Sequence, residues 1–99
     1  MDKKNLTILI GNSDDKLSQK KWAEFCEDVR DICEFRKNEM HFCGTSEGSM
    51  PWKNMCIVLT IEYGNYGRLK FDLNELRNRY NQDSIAIIEG ETEFIGKGE

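Results

Sequence analysis

Hydrophobic periodicity changes four times along this chain, and the order of those changes restricts the fold more than any single residue does. Residues 5–10 alternate, with Leu6, Ile8 and Ile10 on one side of an extended segment. Trp22, Phe25, Cys26, Val29, Ile32 and Cys33 then follow the three-and-four spacing of a helix face. Ser18 stands where an N-cap belongs, and Leu17 with Trp22 would form a hydrophobic staple. Asn38 is expected to end that helix.

A short strand is expected at 39–43, with Met40 and Phe42 on one side and His41 and Cys43 on the other. Residues 55–62 form the strongest strand pattern, and their two apolar sides predict a central position. Gly64 and Gly67 are read as flanking a turn. Leu69, Leu73, Leu76 and Tyr80 mark a second helix that Asn81 would cap. Residues 84–88 make a last strand, stopped by Gly90, and 92–95 would be a short extra one.

Strand, helix, strand, strand, helix, strand is the split βαβ order. It predicts an α+β, ferredoxin-like βαββαβ domain over residues 1–99, a four-stranded antiparallel sheet with both helices on one face. The uncovered sheet face leaves a homodimer open. Following strand directions brings three connections to one edge: residues 12–16, 44–54 and 81–84. The middle one is long for a hairpin, and such loops are often functional. This edge supplies the candidate binding residues Asn12, Asp14, Asp15, Lys16, Trp52, Asn54, Gln82 and Asp83.

Charge narrows the partners. Charged residues make up 32% of the 99, the net charge is −4, and Lys20 and Lys21 are soon followed by Glu24, Glu27 and Asp28. Nucleic acid is disfavoured, because phosphate binding needs clustered cations. A protein with a basic surface is the preferred partner, and a small polar ligand is the alternative. No apolar run has the length of a membrane span or of a signal-peptide core, so the expected location is cytoplasmic.

No catalytic motif stands out, and neither a cofactor nor a metal is expected. Asp14, Asp15 and Asp83 could hold a hard cation, but aspartates before a helix more often order the turn. His41 has no visible nucleophile to serve. Cys43 and Cys56 read as packing residues, and the four cysteines as reduced thiols. Glu91 and Glu93 read as a solvated edge.

Several segments together carry a resemblance: residues 10–22 with Asn12-Ser13-Asp14-Asp15-Lys16-Leu17, then Pro51-Trp52 and Asn54, then residues 81–86, then Thr92-Glu93-Phe94. They resemble a group of small bacterial and phage-associated proteins of about this length. That group has no known activity, so the resemblance implies no catalytic residues.

Three function classes follow as expectations. The first is a non-enzymatic binding or inhibitor module of immunity-protein or phage counter-defence type. The second is a small-molecule or nucleotide-signal binding oligomer that would use Arg68, Arg77 or Arg79 for anions. The third is a metal-dependent hydrolase.

Overall fold

A computed structural model of the chain describes residues 2–12, 16–47, 53–96 and 98. Its elements follow the order β1 (Lys3–Gly11), α1 (Gln19–Arg36), β2 (Glu39–Thr45), β3 (Asn54–Glu62), α2 (Tyr63–Arg79) and β4 (Ala86–Gly90). The strands form one antiparallel sheet in the order β2-β3-β1-β4. This is an α+β arrangement with the ferredoxin-like strand order.

Alternation explains why one sheet face is buried. Leu6, Ile8 and Ile10 of β1 and Met55, Ile57, Leu59 and Ile61 of β3 all turn inward. Against them pack Trp22, Phe25, Val29 and Cys33 of α1 and Leu69, Leu73 and Leu76 of α2. The helices also pack against each other. β3, for which the sequence predicts a central position, lies inside the sheet beside β1.

The helix ends obey local chemistry. The Ser18 hydroxyl accepts the Lys21 N–H at 3.2 Å, as an N-cap should. Leu17 packs against the core that holds Trp22. Helix α1 stops at Arg36, two residues before Asn38, with Lys37 as its C-cap and the Lys37 N–H closing on the Cys33 carbonyl. Asn81 leaves α2 with φ 54°, a left-handed conformation that asparagine tolerates better than most residues.

Four details differ from the sequence reading. First, Gly64 and Gly67 do not flank a turn; they lie inside α2, which begins at Tyr63 with no connection after β3. The Tyr63 N–H donates to the Asp2 carbonyl at 3.0 Å, and Tyr66 extends the apolar stripe toward the core. Tertiary packing outweighs the helix cost of two glycines, about 1 kcal/mol each. Second, β2 carries a register shift between Met40 and Phe42, so these two face opposite sides. Met40 stands opposite the buried Leu59, whereas Phe42 stands opposite Val58 and is exposed.

Third, β4 begins two residues later than expected. Residue 82 is still tied to α2 through its N–H on the Arg77 carbonyl, so the ladder forms only from Ala86. Fourth, residues 92–95 form no strand. The β1–β4 ladder ends at Asn5 and Gly90, and the Thr92 hydroxyl instead accepts the Asn5 amide at 2.9 Å.

Candidate functional site

β1 ends and β3 begins at the same edge, because Gly11 pairs with Asn54. The Asn12 N–H donates to the Lys53 carbonyl at 2.8 Å, which holds the first loop against the second. The second closes on itself: the Ser46 N–H donates to the Asn54 carbonyl, and the Asn54 N–H donates to the Ser46 hydroxyl. Lys16 Nζ reaches Asp83 Oδ1 at 2.9 Å, which joins the first loop to the third. The described parts of all three loops therefore meet at one edge.

The eight residues singled out from the sequence have different fates. Asn12 is only 3% exposed; its Oδ1 accepts the Leu17 N–H and its Nδ2 donates to the Leu17 carbonyl. This amide clasps the entry to α1 from inside. Gln82 is also buried, and its Nε2 donates to the Tyr80 carbonyl. Lys16, Asn54 and Asp83 are exposed at the rim. Asp14, Asp15 and Trp52 lie outside the described residues. Arg77, a candidate anion contact, uses its guanidinium on the Asn74 and Asn78 side chains and the Gln82 carbonyl.

Three hollows surround the edge. One of about 340 Å³ is lined by Gly11, Asn54, Gln82, Asp83, Ser84 and Ala86 among others. Across the 83–84 segment lies a second of about 280 Å³, between α2 and β4, with Lys70, Asn74 and Arg77 in its wall. The third, about 620 Å³, runs between α1 and β2 past Trp22, Cys26, Arg30, Cys43 and Thr45. Sequence reasoning missed this groove. Its signal was that a helix stripe facing an edge strand is covered on one side only, which leaves Cys26 partly exposed.

The shifted thiols and the Tyr80 phenol move toward their neutral forms. Burial pushes the Cys33 thiol up to about 12 and the Cys26 thiol up to about 11. Cys43 is also raised by burial, although the Arg30 guanidinium opposes it. All four thiols are unbridged. A nucleophilic cysteine needs the opposite shift, toward thiolate at neutral pH. The Tyr80 hydroxyl donates to Asp28 Oδ2 at 2.6 Å, and that bond raises the phenol to about 12. His41 Nε2 lies 2.7 Å from the Thr60 hydroxyl, which donates onward to Asn5 Oδ1. Among the described residues, no three His, Cys, Asp or Glu side chains converge as metal ligands. No helix among them is long and apolar enough to cross a membrane.

Edge and hollows thus define a ferredoxin-like α+β domain whose polar loops converge at one end of the sheet. No family model matches the chain, and no curated protein matches it either.

Proposed function

We propose that this chain is a non-enzymatic, cytoplasmic binding module that inhibits a protein partner through the edge formed by residues 12–16, 44–54 and 81–84. The carrying observation is the cross-linking of these loops by the Asn12–Lys53 hydrogen bond and the Lys16–Asp83 ion pair. A preorganised loop edge loses little entropy on binding. The three segments contain four acids, Asp14, Asp15, Glu47 and Asp83, against Lys16 and Lys53. That excess favours a basic partner and faster association at low salt. The thiol and phenol shifts, all away from the reactive forms, fit binding better than group transfer. The resemblance to small bacterial and phage-associated proteins fits an immunity or counter-defence role.

The test is affinity capture from the organism that carries the gene, with the full chain as bait. Wild type should retain one partner, and raised salt should weaken the retention. Asp15→Lys with Asp83→Lys and Trp52→Ala should release it. Phe71→Lys, on the exposed side of α2, should not. Equal capture by the triple variant overturns the assignment.

A further inference from the structure

The sheet face turned away from the helices has an unusual composition for this molecule. Register places Phe42, Val58, Thr7 and Ile88 in one row across all four strands. The adjoining row holds Cys56, Leu9 and Ala86. Neither row contains an ionised side chain, although nearly a third of the chain is charged. Phe42 and Ile88, on the two edge strands, are 55% and 53% exposed.

We propose that this face binds the same face of a second copy of the chain, giving a two-fold dimer of stacked sheets. Three observations favour a second copy over an unlike partner. The first is charge. A net −4 molecule repels its own kind wherever its charges lie, and these two rows are where they are missing. The rows offer an oppositely charged partner nothing to pair with, whereas an isologous contact needs only a surface that tolerates itself.

The second is shape. The β2 bulge turns Phe42 onto this face, where a regular strand would have sent it inward with Met40. Its ring then lies over Gly44: a Cβ there would come within 2.6 Å of Phe42 Cζ. The missing side chain leaves the ring room over the Gly44 backbone, and Phe42 still stays half exposed on this face. The four strands hold 30 residues, which at about 3.3 Å rise and about 4.8 Å spacing span about 480 Å² per copy. Two copies then bury about 950 Å², below the range for stable interfaces and fitting an association that dilution reverses.

The third is continuity. The segment after β4 is fastened to the end of this face by the Asn5–Thr92 hydrogen bond. Beyond it, Phe94 and Ile95 are 81% and 95% exposed. They add exposed apolar surface two and three residues after the fastened Thr92. The loop edge lies at the strand ends, so the stacked dimer leaves it accessible.

Sedimentation equilibrium of the full chain, over a dilution series from millimolar to sub-micromolar, tests the proposal. The expected mass is twice 11.6 kDa at the high end, falling toward one chain on dilution. Ile88→Lys, at a half-exposed edge position that tolerates a lysine in the monomer, should shift dissociation to at least tenfold higher concentration. Val58→Lys should do the same with an unchanged far-ultraviolet circular dichroism spectrum. Phe71→Lys on α2 should leave the mass curve unaltered. A one-chain mass at every concentration overturns the proposal. So does an Ile88→Lys curve matching wild type, equal weakening by Phe71→Lys, or growth into open-ended assemblies.

Discussion

Asn12 and Tyr80 show how single polar side chains hold this fold. Asn12 satisfies both backbone groups of Leu17 from a buried position. Truncation would leave those groups unpaired. Asn12→Ala should therefore lower unfolding free energy by about 1–3 kcal/mol, read from urea titrations. From the sequence, Asn12 looked like its neighbours in a polar loop, because composition says nothing of which way an amide points. Tyr80 ties the end of α2 to Asp28 of α1. Its phenol lies above its ordinary value of 10 in the folded state, at about 12. The protonated hydroxyl is thus the stabilising form. Its contribution is complete below pH 10 and disappears as pH rises through about 12. Tyr80→Phe should be less stable than wild type at neutral pH. The gap should close over that alkaline window in paired denaturation curves.

At the scale of elements, legibility depended on whether the determining signal was local. Ser18, the α1 stripe and the Asn81 cap are local, and the structure has each in place. The β2 bulge is not local, since it depends on how Met40 and Phe42 divide between Leu59 and Val58 on the neighbouring strand. Nor is the start of α2, where two glycines read as a turn until Tyr66 is seen against the core. These glycines leave room for improvement. A Cβ at Gly64 or Gly67 would meet nothing within 4 Å, and neither has a positive φ. Gly67→Ala should accordingly raise stability by about 0.5–1 kcal/mol, seen as a higher thermal midpoint.

For the molecule as a whole, the topology was readable because helix and strand periods follow each other in an order with few compact solutions. The meeting of the loops followed from strand direction alone, and the Lys16–Asp83 pair bears it out for the described residues. Which rim side chains face outward depended on hydrogen bonds that no spacing rule encodes. The two uncharged rows of the outer face were likewise hidden until register lined up residues from four strands. β1 also has a practical consequence. It spans nine residues from Lys3, beside the β3–α2 junction, to Gly11 at the loop edge, or about 30 Å. A label or tether joined ahead of Asp2 is carried at the far pole. A copy anchored there presents its loops outward, so surface-based measurements need not mask what they are meant to detect.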